Sequence, residues 1–219
     1  MASATLSAGA SPRNAPAHHI VLFDFGAKLN IQRELEKRGC KITVVPYNTT
    51  AEEVIKMQPD GIMLSNGPGD PAENVGVIEE IRKLCEWNKE IVGSSPTMTG
   101  KPIPIFGICL GHQMLSLARG AKTCRLKYGH RGGNHPVKDV KTGRVYITSQ
   151  NHGYAVEAST LPDFARETFV NLNDGTCEGV EYTDIPAFSV QFHPEACGGP
   201  HDTNFLFDRF LEMIKNATK

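Results

Sequence analysis

The chain has 219 residues, 40% hydrophobic and 21% charged, with a formal net charge of −1 at pH 7. That size and apolar content suit one α/β domain, with room for at most a small satellite. The near-neutral balance gives no electrostatic case for nucleic acid or a membrane surface, and no apolar run approaches the length of a membrane span.

Residues 1–18 are rich in Ala, Ser, Gly and Pro, with Arg13 and no acidic side chain. They lack the apolar core of a signal peptide and read as a disordered leader or linker. Residues 19–25 (HIVLFDF) form a predicted buried strand closed by Gly26, and 29–38 a helix stopped by Gly39. Residues 41–47 are a second strand. Thr49-Thr50-Ala51-Glu52-Glu53 offers overlapping capping boxes for a short helix reaching Met57. Residues 60–65 are a third strand, running into a Gly- and Pro-rich loop from Asn66 to Pro71. Val75, Ile78, Ile81 and Leu84 or Cys85 mark one face of the next helix. The stretch 87–101 has no clear period and reads as an exposed loop.

The run Pro104-Ile105-Phe106 ends in Gly107-Ile108-Cys109-Leu110-Gly111, followed by a helical pattern. A strand, a sharp turn and a helix start, with cysteine on the turn, is the thiol form of a nucleophile elbow. The helix behind Cys109 points unpaired N–H groups and a positive dipole end at the sulfur, which favours the reactive thiolate. Leu110 offers the next N–H to an oxyanion. After Gly120, short alternating pieces at 123–127, 135–138, 144–148, 179–182 and 187–192 suggest mixed or antiparallel strands. An amphipathic helix over 203–214 closes the chain, with Phe207, Phe210, Leu211 and Ile214 on one side. Strands alternating with helices predict an α/β fold whose open, mixed, mostly parallel sheet is flanked by helices.

The six cysteines are scattered, with no Cys-x-x-Cys pair, and read as reduced thiols in a cytoplasmic compartment. Cys109 needs a base. His193-Pro194-Glu195 closes the strand SVQF, and Pro194 biases His193 toward an extended conformation. Residues two apart then share a face, so Glu195 can steer the imidazole of His193. The loop from Asn66 to Pro71 lies at the carboxyl end of a strand, where open sheets bind ligands. Pro68 has no N–H, so a second oxyanion donor comes from Gly67 or Gly69. Asn151 can both donate to and accept from an amino-acid head group. His112 and His152 are possible acid–base groups but read first as structural. The basic segment 129–135 reads as a hydrogen-bonded loop rather than a phosphate site. His130, His135 and His201 match no strong ligand spacing, so no metal is expected.

The motifs SNGPGDP, GICLGHQ and QFHPE together resemble the triad, or class I, glutamine amidotransferases. The likeness runs on through GHRGGNHPVKD, SQNHGYAV and NLNDGTCEG, and is nearest to the glutaminase domain of glutamine-dependent carbamoyl-phosphate synthetases, as a small subunit or within a fused multifunctional chain. The resemblance implies a flavodoxin-like core, with Cys109 as nucleophile, His193 as acid and base, and Glu195 as its orienter. It implies oxyanion donors at Gly67 and Leu110, and Gly69, Gln113, Asn151, Gly153 and Tyr154 around L-glutamine. It implies no cofactor, and an ATP-binding synthetase subunit or domain as partner to receive ammonia. The family's small subunit has an N-terminal domain ahead of the first strand here, so 19–219 is expected to be an isolated or excised glutaminase domain with low activity alone. Another amidotransferase branch, a different γ-glutamyl substrate and a catalytically idle interaction domain are the alternatives.

Overall fold

A computed structural model describes residues 18–93, 100–196 and 202–217. The expected leader therefore lies outside the described residues except for His18, which is the first residue of β1.

Five strands form the parallel half of the sheet: β1 (His18–Asp24), β2 (Cys40–Pro46), β3 (Gly61–Leu64), β4 (Ile105–Ile108) and β9 (Ala187–Val190), in the order β2-β1-β3-β4-β9. This is the doubly wound order with its reactive edge at the strand carboxyl ends. Alternate strand residues go to opposite faces. Val21, Phe23, Ile62, Leu64 and Ile105 pack with the helices α2 (Ala51–Lys56), α3 (Val75–Gly93) and α4 (Leu110–Ala118). Ile20, Leu22, Met63, Phe106 and Phe188 pack with α1 (Leu29–Lys37) and α5 (Phe205–Ala217). The capping box that starts α2 is formed by Thr50 and Glu53. Phe106 stacks on Phe188 and meets Phe207 and Phe210, tying α5 to the centre of the sheet.

Between α4 and β9 the chain makes β5 (Thr123–Asp139), β6 (Val145–Val156), β7 (Ala165–Asn171) and β8 (Cys177–Tyr182), all antiparallel. They extend the sheet as β9-β8-β6-β5-β7, and β7 pairs back onto β8, so these four strands close on themselves.

Several boundaries differ from the sequence reading. The helix α3 runs through Trp87 to Gly93, where a loop was expected. Its core face continues through Asn88, whose amide donates to the Ile103 carbonyl at 2.9 Å and accepts from the Ile103 N–H at 2.7 Å. Residues 94–99 of that expected loop lie outside the described ones. The segment 129–135, read as a loop, lies within β5, and the polar run 149–154 that carries Asn151 lies within β6. The strand β7 was not foreseen.

Candidate functional site

Cys109 is the residue that caps α4, with φ 54° and ψ −103°. Its N–H donates to the Val190 carbonyl at 2.9 Å and the Gly111 N–H to the Ser65 carbonyl at 3.0 Å, so the turn is pinned to the strand ends on both sides. Its glycines are there for close approach. A Cβ on Gly111 would sit 2.3 Å from the Leu64 carbonyl oxygen, and one on Gly107 2.8 Å from that of Gly111. The first N–H groups of a helix have no acceptor within it, so the Leu110 N–H stays at the open end beside the sulfur.

The backbone of Cys109 lies in a region that costs a side-chain-bearing residue about 1–3 kcal/mol. Glycine normally lowers helix stability relative to alanine by about 1 kcal/mol. Here that ranking should invert: Cys109→Gly is expected to be more stable than Cys109→Ala, by about 1 kcal/mol or more. Urea unfolding of the pair checks this, and an alanine variant that is the more stable would show that the turn stores no strain.

His193 follows β9, and its N–H donates to the Ser149 carbonyl at 2.9 Å. Its Nδ1 lies 2.7 Å from Glu195 Oε1, both side chains being buried. Cys109 is close enough to the imidazole to favour its charged form. Burial opposes a charge on the ring, but the contacts with Cys109 and Glu195 outweigh it and hold the His193 pKa up at about 9. A second cation stands behind the carboxylate, with Lys28 Nζ 3.6 Å from Glu195 Oε1, and Asn30 donates to the Glu195 backbone carbonyl. Other thiols are held inert: burial pushes Cys40 up to about 11 and Cys85 up to about 12.

Cys109 and His193 face a cleft of about 410 Å³. Gly67, Gly69, Gln113, Asn151, Gly153 and Tyr154 line the same cleft, so the structure brings these sequence-predicted residues together. Glu195 lies behind His193, and the Leu110 side chain packs against Gly67. A Cβ on Gly67 would be 2.2 Å from the Phe25 carbonyl oxygen and 2.7 Å from Leu110 Cδ2. Both side-chain N–H groups of Gln113 are committed, to the Tyr154 carbonyl at 2.7 Å and to Gln191 Oε1 at 2.8 Å. What Gln113 keeps for a ligand is its carbonyl oxygen, an acceptor. The Tyr154 hydroxyl is bonded to Asp70, which raises the phenol pKa.

Sequence reasoning missed Lys28, Asn66, Arg131 and Gln191. Asn66 accepts from the Lys28 N–H at 2.9 Å and donates to the Gly26 carbonyl at 3.2 Å, joining two loops at the sheet edge. Gln191 is wholly buried, a polar side chain between Val190 and Phe192, and that mismatch was its signal.

The histidines divide by environment. His112 is buried beneath the elbow with Nδ1 2.8 Å from Ser189 Oγ, and burial pushes its pKa down to about 3. His152 lines the cleft, but burial pushes its pKa down to about 4, and its ring bonds the Tyr154 carbonyl and Gln150. His130 goes the other way. A hydrogen bond to Glu178 outweighs burial, Asp174 adds to it, and its pKa rises to about 9. His130, His152 and Glu178 each offer a ligand atom within 4.8 Å of the others, the one such group among the described residues. An imidazolium bridging Glu178 and Asp174 already puts positive charge there, so the cluster fits a proton-bridged network better than a metal ion. His201 of the trio weighed from sequence lies outside the described residues.

These shifts predict how stability responds to pH. An unfolded histidine titrates near about 6.5. The stability from keeping His112 and His152 neutral is present above that value and is lost as pH falls toward 4 and 3. The stability from His130 is present below it and is lost as pH rises through about 9. His130→Gln should therefore lie furthest below the unsubstituted chain near about pH 6, and the gap should narrow by about pH 9.5. Urea midpoints at the two values test the sign, and a gap that widens with pH would contradict it.

The family model described as "Glutamine amidotransferase class-I" matches residues 21–213. The chain is 53% identical to a carbamoyl phosphate synthase small chain of Fusobacterium nucleatum, over 95% of this chain and 54% of that protein. It is 54% identical to one of Bacillus cereus, over 95% of this chain and 53% of that protein. The chain thus spans about half the length of the curated relatives it matches. Among solved structures, a putative GMP synthase subunit from Thermoplasma acidophilum superposes with a TM-score of 0.71 at 22% identity, covering 91% of this chain and 94% of that one. A glutamine amidotransferase from Thermotoga maritima gives 0.60 at 18%, covering 91% and 85%. At such identities the likeness is one of fold. No described helix is long and apolar enough to cross a membrane.

Proposed function

Because this chain belongs to the class I glutamine amidotransferase family, we propose that residues 19–219 form a glutaminase domain that hydrolyses L-glutamine to glutamate and ammonia through a cysteinyl thioester. The observation that carries the reading is Cys109 and His193 lining one small-molecule-sized cleft, with the Glu195 carboxylate hydrogen-bonded behind the imidazole at 2.7 Å.

The sulfur of Cys109 attacks the side-chain amide carbon. The N–H groups of Gly67 and Leu110 receive the negative charge that moves onto the amide oxygen. His193, protonated at neutral pH because of its raised pKa, gives its proton to the departing nitrogen, and ammonia leaves. The C–N bond has broken and a C–S bond has formed. Neutral His193 then takes a proton from water, whose oxygen bonds to the thioester carbon; the C–S bond breaks, the proton on His193 balances the departing sulfur, and glutamate is released. Glu195 keeps Nδ1–H directed at itself, so Nε2 faces the sulfur. Gln113, with only its carbonyl oxygen to offer, suits the substrate's α-ammonium group. Gly69, Asn151, Gly153 and Tyr154 complete the pocket around the head group.

The names of the relatives extend the proposal: the ammonia serves carbamoyl phosphate synthesis, received by an ATP-binding synthetase subunit or domain. A cytoplasmic, reducing setting agrees with the free thiols at Cys40, Cys85, Cys109, Cys124 and Cys177. The test is glutamate formed from L-glutamine by the chain alone and with such a synthetase present. Turnover that rises with the partner supports the proposal, and no glutamate under either condition refutes it in favour of an idle domain.

A further inference from the structure

We propose that Arg131 is the specificity residue that binds the α-carboxylate of the substrate, a role that rests on reading the cleft as a glutamine site. Arg131 on β5 pairs directly with Asn151 on β6, and both line the cleft with Cys109 and His193. Directly opposed residues of an antiparallel pair project to the same face. So the guanidinium and the Asn151 amide approach a ligand from one side.

Local backbone sets the guanidinium in place. Gly129 has φ +68°, and a Cβ there would lie 3.0 Å from Arg131 Nη1 and 3.2 Å from Gly153 Cα. With no side chain at 129, the Arg131 head folds back over the glycine and comes to rest beside Gly153. There Nη1 donates to the Tyr128 carbonyl at 2.7 Å, the one hydrogen bond of this head among the described residues. A guanidinium has five N–H donors in a fork that matches a carboxylate. Most of that fork is left for a ligand.

Charge points the same way. No Asp or Glu is among the described residues lining the cleft, and besides the His193 imidazolium its cations are Lys28 and Arg131. Lys28, itself partly exposed, is engaged with the buried Glu195 at 3.6 Å. Arg131 is exposed, and it also lines an adjoining cavity of about 390 Å³, where Arg125, Lys127 and Arg131 stand against the single carboxylate of Asp70. The approach to the cleft is therefore cationic on the side of Arg131, and draws in the carboxylate end of an amino acid. Glutamine enters amide first, its ammonium toward the Gln113 oxygen and its carboxylate toward Arg131.

Comparing L-glutamine with 4-aminobutanamide, the same amide without the α-carboxylate, tests this in the full chain with its synthetase partner. Arg131→Met should raise the KM for glutamine by about 10- to 100-fold, the size of a lost charge-assisted hydrogen bond, with the loss in KM rather than in kcat. It should leave kcat/KM for 4-aminobutanamide nearly unchanged, so that the preference for glutamine collapses. Calorimetric binding of L-glutamate should weaken by a like factor, and Arg131→Lys should recover part of it. A glutamine KM within twofold of the parent, or equal losses on both amides, would overturn the assignment while leaving the glutaminase reading intact. If the unsubstituted chain neither hydrolyses glutamine nor binds glutamate, that reading fails and Arg131 falls with it.

Discussion

Cys109→Ser is expected to abolish ammonia release, by at least about 10³-fold in kcat, as for loss of a nucleophile in other triad sites. The swap changes one atom at a buried turn, so the fold and the glutamine pocket should survive. An alcohol ionises far less readily than a thiol, and the leaving-group proton on His193 is there because a sulfur stands opposite it. The same substitution has a second consequence that activity alone does not report. The His193 pKa is held near 9 against burial by Cys109 and Glu195 together. With the sulfur gone, Glu195 acts alone and the imidazole should titrate lower. Proton NMR of the His193 ring in the two proteins measures that change. A serine variant that keeps most of its turnover would remove Cys109 from the mechanism. One whose imidazole still titrates near 9 would mean that Cys109 and His193 are not in contact in solution.

The parallel half of the fold was legible in sequence because its strands, apart from the edge strand β2, are mostly buried on both faces and its turns need glycine. The run IVLFDF and the stretch around Cys109 carry those signals without tertiary context. The antiparallel half was less legible, since its enclosed side is polar. Thr148, Gln150 and His152 are buried at alternate positions of β6, and His130, Asn171 and Glu178 are buried opposite them. Asn171 donates to Glu178 at 2.9 Å, and His130 bridges Glu178 and Asp174. A period of two was present, but in residues that a hydrophobic pattern counts as surface. In β5 the glycines read as a loop because the strand is irregular there, with register shifts between Arg125 and His130 and between Gly132 and His135. The unforeseen β7, with Arg166 and Glu167 near its start, is mostly half-buried and gave no alternation to find. Asn88 hid the end of α3 for a related reason: a polar side chain on the core face, satisfied by the backbone of Ile103. The catalytic candidates were legible as local motifs. Arg131 was not, because its meaning depends on a cross-strand pairing and on an absent side chain at Gly129.

The second large effect concerns the loop after β3 and separates an active site from a merely complete one. Gly67→Ala should lower kcat by about 10²–10³-fold while changing the glutamine KM much less. The added Cβ would lie 2.2 Å from the Phe25 carbonyl oxygen, inside any real contact distance, and 2.7 Å from Leu110 Cδ2. Phe25 is fixed by its N–H donating to Ser65 Oγ at 3.0 Å, so the loop at 66–69 is the part that must shift. A shift there carries the Gly67 N–H away from where the amide oxygen becomes negative. That charge exists fully only after attack, so the lost interaction belongs to the transition state and appears in kcat. Pro68 supplies no N–H to replace it. Gly69, with φ +101° and no atom near its would-be Cβ, makes the matched control for crowding. Gly69→Ala is strained by its backbone but meets no neighbour, and is expected to cost stability more than kcat. Steady-state kinetics and urea unfolding of both variants, run side by side, decide the matter: equal kcat for Gly67→Ala and the parent chain would take the oxyanion away from this loop.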